Sequence, residues 1–251
     1  MRSWLGMVAL NTLFWIFWLS LTVVFAVGGS VYVTAFALCV RDQRRTLWLL
    51  RRTISHYGTA SIYCGWPLVR VRYVDHSPQD KPPFIFVANH RSASDAYLMS
   101  CLPFECIQVV NIWPFKIPFL GIVAKLAGYL SVREMPVEDF LESGSTLLAQ
   151  GVSVITFPEG TRARSRAMGP FHGTAFRLAL QAGATIVPLA ISGSENIPRR
   201  GSLLLRPGQI VVHKLPGIGA DEFKGLSVFE LKTLVHQRLQ EHLNRLEAGT
   251  P

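Results

Sequence analysis

Two short stretches of this sequence bring together side chains able to do chemistry. The first is Asn89-His90-Arg91-Ser92-Ala93-Ser94-Asp95, which follows an apolar run at residues 84–88. That run is rich in aromatic and branched residues and predicts a buried strand. A histidine beside a carboxylate is a candidate acid–base pair. The carboxylate holds the imidazole tautomer and leaves the other ring nitrogen as a base. In a continuous helix, positions i and i+5 lie about 140° apart and do not meet. Ser92 offers a way out as an N-cap, with Asp95 at the third helical position of a variant capping box. His90 then lies on the strand-to-helix turn. Helical side chains tilt toward the N-terminus, so Asp95 leans back toward His90. The same residues also admit a structural use, with Asp95 only capping the helix and His90 an ordinary loop histidine. None of His56, His76, His172, His213, His236 and His242 has a carboxylate so placed beside a buried strand end.

The second stretch is Phe157-Pro158-Glu159-Gly160-Thr161-Arg162, at the end of another buried run, residues 152–157. A turn with Pro, Gly, an acid and a cation at a strand end has the make-up of a ligand-binding loop. Arg162 can hold a phosphate through both arms of its fork, and Thr161 and backbone amides can donate to the same group. A plain solvated turn is the other reading. Arg164 and Arg166 extend the basic character and read as membrane-surface or solvated charges.

Holding these stretches in place takes a sheet. Strands are predicted over residues 68–74, 84–88, 108–112, 129–132, 152–157, 185–191 and 209–214. Helices are predicted over 94–101, 119–127, 137–150, 171–182 and 226–246, with 53–67 as a connector. The alternation predicts an α/β fold, a single domain with a mixed, largely parallel sheet flanked by helices. At 251 residues the chain is long enough for that domain and one further element.

The further element is N-terminal. No charged residue occurs from Trp4 to Val40, a run of 37 residues, against the ~20 that cross a bilayer as one helix. Gly28-Gly29 is expected to break it into a spanning piece, 4–27, and a re-entrant or interfacial piece, 30–40. The run is too long for a signal-peptide core. Only Arg2 precedes it, whereas Arg41, Arg44, Arg45, Arg51 and Arg52 follow. The positive-inside rule puts that cluster, and the domain after it, in the cytoplasm. The expected division is therefore a membrane anchor with a basic flank at 1–52 and the α/β domain at 53–251.

Composition agrees. The chain is 49% apolar, with mean hydropathy +0.29, net charge +9 and a pI near 9.8. Such a balance favours anionic partners, and the apolar excess points to a membrane surface rather than nucleic acid. Cys39, Cys64, Cys101 and Cys106 form no C-x-x-C pair, so no zinc or dithiol motif is expected, and they read as reduced filler.

Taken in this order, Asn89-His90-x-x-x-x-Asp95 and Phe157-Pro158-Glu159-Gly160-Thr161-Arg162 resemble the glycerolipid acyltransferase superfamily, and within it the 1-acylglycerol-3-phosphate O-acyltransferases. Phe115-Lys116-Ile117-Pro118-Phe119-Leu120-Gly121 with Ala127-Gly128 is similar to that family's second block, and Ile186-Val187-Pro188-Leu189-Ala190 to its fourth. Three departures stand out: Asn111 or its neighbours stand where relatives often carry a lysine, Ser131-Val132-Arg133-Glu134 inverts the usual order of acid and arginine, and Phe171-His172-Gly173-Thr174 replaces a common Phe-x-x-Gly.

The resemblance implies a mechanism. His90 acts as general base on the hydroxyl of a lysophospholipid, oriented by Asp95, and the hydroxyl attacks a thioester with no covalent acyl-enzyme. Glu159, Gly160, Thr161 and Arg162 bind the glycerol phosphate, joined by Arg133, with Asn89, Lys116 and Pro188 as further substrate contacts. The donor is acyl-CoA or acyl-carrier protein, a co-substrate, and neither cofactor nor metal is needed. Partners are the lysophospholipid, the donor and the bilayer, and the site of action is the inner or cytoplasmic membrane. Rival readings are another lyso-lipid acceptor, such as a lyso-ornithine lipid or lysophosphatidylglycerol, and a non-catalytic membrane-binding module. A thioesterase or lipase would need a nucleophile, and no Gly-x-Ser-x-Gly elbow occurs.

Overall fold

A computed structural model describes residues 2–111, 120–163, 167–195, 197–199 and 201–248. The chain divides into two compact units: residues 1–72, 92–103 and 193–210 form the first, and 73–91, 104–192 and 211–251 the second. The boundary expected after residue 52 falls inside a helix of the first unit.

The first unit is helical. Helix α1 (Arg2–Val24) continues through a π-helical turn (Phe25–Gly29) into α2 (Ser30–Val40). The expected break at Gly28-Gly29 does not occur. A π turn absorbs an extra residue without ending the helix, and the small Gly29 admits a neighbour: a Cβ there would stand 3.1 Å from Thr53 Cγ2. Trp4–Val40 is long and apolar enough to cross a membrane, and Leu5, Ile16, Phe17, Val23, Val24 and Val27 lie exposed along it. One face is held by polar contacts. Asn11 Nδ2 donates to Leu205 O at 3.0 Å and its Oδ1 accepts from Leu205 N at 2.7 Å. Trp15 Nε1 donates to Leu203 O at 3.1 Å.

Arg41, with φ of 52°, turns the chain, and Asp42 caps α3 (Gln43–Tyr63) by accepting from Arg45 N at 3.0 Å. The connector expected at 53–67 is therefore helical as far as Tyr63. Its small and polar residues have partners in the same unit. The Ser55 and Thr59 hydroxyls donate to Ser100 O at 2.7 and 3.0 Å. Gly58 lies so close to Ser100 that a Cβ would collide with its side chain.

The strands form a seven-stranded sheet of order β1-β7-β6-β2-β5-β3-β4, of which β2 to β6 lie wholly in the second unit. The strands are β1 (Val69–Asp75), β2 (Ile85–Ala88), β3 (Cys106–Val110), β4 (Leu130–Ser131), β5 (Ser153–Thr156), β6 (Ile186–Ser192) and β7 (Gly208–Lys214). β2 pairs parallel with β5 and β6, and β3 pairs parallel with β4 and β5. β7 runs antiparallel to β6. The sheet is mixed and largely parallel, as the alternation predicts. β2 and β5 are buried at every residue; β2 is accordingly a continuous apolar run, whereas β5 also buries Ser153 and Thr156.

α4 (Asp95–Leu98) runs into a 3₁₀ turn (Met99–Cys101) and belongs to the first unit. Beside the strands of the second unit lie α5 (Leu120–Leu126), α6 (Val137–Ala149), α7 (Thr174–Ala182), the short α8 (Ala220–Phe223) and α9 (Val228–Glu247). Gly144 on α6 lets Leu178 on α7 approach: a Cβ there would meet Leu178 Cδ2 at 2.7 Å. Ser227 and Glu230 form a capping box at the start of α9. Its stripe of Leu231, Val235, Leu239 and Leu243 is fully buried, worth about 1.5–3 kcal/mol for each side chain.

Because β6, β2, β5, β3 and β4 all run the same way, their carboxyl ends share one edge of the sheet. Open α/β sheets bind their ligands at that edge, and it is where both candidate motifs emerge.

Candidate active site

His90 stands just beyond β2, and Phe157–Ala163 just beyond the neighbouring strand β5. The two loops are tied together. The His90 N–H donates to Glu159 Oε1 at 2.8 Å, and His90 O accepts from Ala163 N at 2.7 Å. The His90 ring lies over Phe157 with centroids 4.5 Å apart and planes tilted by 32°. The imidazole is therefore half-buried, with its backbone fixed on both sides and one ring face covered.

Residues beside His90 supply the rigidity. Asn89 is fully buried, its Nδ2 donating to Ile191 O at 2.9 Å and its Oδ1 accepting from Ile191 N at 2.7 Å. This clamps the end of β2 to the end of β6. The expected substrate contact at Asn89 gives way to a positioning role, since its amide is consumed by backbone and screened from solvent. Arg91, also buried, pairs with Glu247 on α9 at 2.9 Å, a contact the sequence reading missed.

Glu159 also departs from expectation. It is 6% exposed. Oε1 takes the His90 N–H and Oε2 the Gly169 N–H, both at 2.8 Å. Each oxygen of this buried carboxylate is engaged by a backbone amide. It braces the loop. Gly160 shapes the same turn: its φ is +68°, and a Cβ would come within 3.0 Å of the His172 ring. Both facts call for glycine. Pro158 O accepts from His172 N at 2.8 Å, so Thr161, exposed, and Arg162, half-buried, lie on a braced loop.

The remaining expected residues divide. Arg133 is exposed on the turn after β4, on the same carboxyl edge. Pro188 is buried within β6, paired with Val87, and its carbonyl accepts from Leu215 N at 2.9 Å. It fills the sheet. Lys116 and the block around it lie outside the described residues, as do Arg164 and Arg166.

Asp95 belongs to the first unit. It is fully buried, and its Oδ2 accepts from Ser92 N at 2.7 Å. This is the reach-back half of the expected capping box. The helix itself starts at Asp95, with Ser94 as its cap. The Ser92 and Ser94 hydroxyls donate instead to Ile197 O, at 3.2 and 3.0 Å, so the loop after His90 is pinned by serine side chains. None of the cysteines forms a disulfide. Burial pushes the Cys106 thiol up to about 12, which leaves it inert at neutral pH.

The acyltransferase family profile matches residues 68–192. A 1-acyl-sn-glycerol-3-phosphate acyltransferase of Chlamydomonas reinhardtii is 37% identical over 186 residues, 68% of this chain and 55% of that protein. The alpha form from Homo sapiens is 33% identical over 155 residues, 60% of this chain and 54% of that protein. The chain thus spans about half the length of the curated relatives it matches. The crystal structure of the 1-acyl-sn-glycerophosphate (LPA) acyltransferase PlsC from Thermotoga maritima has the same fold. Its TM-score is 0.77 at 22% identity, covering 99% of this chain and 98% of that one.

Proposed function

The chain belongs to the acyltransferase family through its residues 68–192, and on that premise we propose that it transfers a fatty acyl group from a thioester to the free hydroxyl of 1-acylglycerol-3-phosphate. The observation that carries the reading is the join between the two motifs. His90, the candidate base, takes its backbone position from Glu159 and Ala163 of the candidate phosphate loop. A base and an anion-holding arginine on two tied loops are what a phosphorylated alcohol requires of its enzyme.

The reaction then follows. His90 accepts the proton of the lysolipid hydroxyl as its oxygen bonds to the thioester carbonyl carbon. The carbon–sulfur bond breaks, and the imidazolium returns the proton to the departing thiolate. General-base assistance of this kind contributes about 10²–10⁴-fold. Asp95, five residues on, is assigned the orientation of the imidazole on the strength of the motif. Thr161, the Gly160 backbone, Arg162 and Arg133 hold the phosphate; Arg162 can do so with two parallel hydrogen bonds. The donor is acyl-CoA or acyl-carrier protein, and the reaction needs no cofactor. Trp4–Val40 holds the enzyme at the bilayer where its acceptor resides, and the arginines after it place the catalytic side in the cytoplasm.

Purified protein with labelled acyl donor and a panel of lysolipids tests this. Lysophosphatidate should be the preferred acceptor. Preference for lysophosphatidylglycerol or a lyso-ornithine lipid would reassign the head group, and no transfer to any acceptor would leave a membrane-binding module.

A further inference from the structure

A second group of histidines lies in the second unit, on elements that carry neither motif. His76 follows β1, His213 is on β7 and His242 is on α9. Each offers one ring nitrogen, and these three donor atoms lie within 4.8 Å of one another. His76 Nε2 stands 2.9 Å from His213 Nδ1. The His76 and His213 rings stack with centroids 5.2 Å apart, and His242 packs on them at 5.5 and 4.8 Å. His242 Nε2 is buried with no hydrogen-bond partner. All three rings line one cleft of about 450 Å³, with Arg238, Glu241 and Arg245 beside them.

We propose that His76, His213 and His242 form a three-imidazole site for a divalent cation of the zinc class, which ties α9 to β7 and to the turn after β1. Imidazole donors without a carboxylate or thiolate among them select borderline metals over magnesium or calcium. Tetrahedral zinc holds nitrogen at about 2.0–2.1 Å, which sets neighbouring donors ~3.3 Å apart. One pair of nitrogens stands at 2.9 Å and all three donors lie within 4.8 Å, so binding requires side-chain movement that turns the His76 and His213 nitrogens from each other toward the ion. Zinc would also give the buried Nε2 of His242 a partner. The fourth position opens on the cleft and falls to water. Arg245 opposes a dication and Glu241 favours it, while Arg238 is paired with Glu222 at 3.0 Å, which leaves the imidazoles to carry the affinity. The role is structural, since none of the three histidines lies on the loops after β2 and β5 that carry the two motifs.

The test uses full-length protein without a histidine tag, purified in detergent, stripped with EDTA and titrated with Co²⁺. One equivalent should bind with the visible absorption of a tetrahedral nitrogen site. Zn²⁺ should displace it, Mg²⁺ should not, and Zn²⁺ should raise the Tm. His76→Gln, at an exposed position, should keep wild-type acyl transfer. It should weaken Co²⁺ binding at least as much as loss of an outer-shell partner does elsewhere, about 10–100-fold, and abolish the Zn²⁺ shift in Tm. His242→Gln should do the same to the metal. Absence of the absorption at saturating Co²⁺, or equal binding by wild type and both variants, would overturn the site and leave a hydrogen-bonded histidine cluster.

Discussion

The loops after β2 and β5 are built alike and used differently. Each contains a buried polar side chain that is spent on backbone, with one or two more accessible groups within three residues of it. After β2 the buried member is Asn89, which holds Ile191, and its neighbour is His90. After β5 the buried member is Glu159, which holds His90 and Gly169, and the accessible members are Thr161 and Arg162. The difference is in reach. Asn89 fastens its own strand to the next one, whereas Glu159 fastens the other loop. A neutral amide suffices for the first task because it must both donate and accept. The second takes a carboxylate because both of its partners are donors. A short motif here holds residues that act and residues that hold them still, and only burial tells the two apart.

Substitutions at the accessible members should damage chemistry and spare stability. The largest effect is expected at His90. His90→Ala should lower kcat about 10²–10⁴-fold with an unchanged Tm. A loss of only a few-fold, in a kinetic assay with saturating donor, would remove the general base from the account. Arg162→Ala comes next. A charge-assisted hydrogen bond is worth about 1.5–3 kcal/mol, or roughly 10–150-fold, seen as a raised KM for the lysolipid with the donor KM little changed. Arg162→Lys should recover part of that loss, since it keeps the charge and loses the fork. An equal loss with an acceptor that lacks phosphate would make Arg162 structural.

The buried members should show the opposite balance. Asn89→Ala removes both bonds to Ile191 and leaves that residue's amide and carbonyl buried and unpaired. Each such group costs about 1–3 kcal/mol, so thermal or urea unfolding should register the change. Unaltered stability in Asn89→Ala would return the residue to the list of substrate contacts.

This division of labour explains what could be read from the sequence. Period and composition located the buried strands, because β2 is apolar at every position and β5 carries Val154 and Ile155 between Val152 and Phe157, and located α9 through its stripe from Leu231 to Leu243. Motif spacing found His90 and the Pro158–Arg162 turn. The tasks of Asn89 and Glu159 were hidden because their partners, Ile191 and Gly169, are distant in the chain or carry no side-chain signal. The second half of α3 was hidden for a related reason. Thr53, Ser55, Gly58 and Thr59 look like a linker until Ser100 is seen to accept the hydroxyls and crowd the glycine. Tertiary contact overrides weak local propensity. Gly28-Gly29 misled similarly, since glycine ends a helix only where the backbone gains another partner, and a π turn kept this one intact.

The central claim is that Glu159 serves catalysis by holding His90, and a double-mutant cycle addresses it directly. kcat at saturating lysophosphatidate would be measured for wild type, Glu159→Gln, His90→Ala and the double variant. Coupled residues give non-additive effects. Glu159→Gln should lower kcat clearly in the wild-type background and scarcely at all once His90 is alanine, because a misplaced backbone no longer misplaces a base. The same fold-loss in both backgrounds would contradict the account and make Glu159 an independent contributor to the reaction.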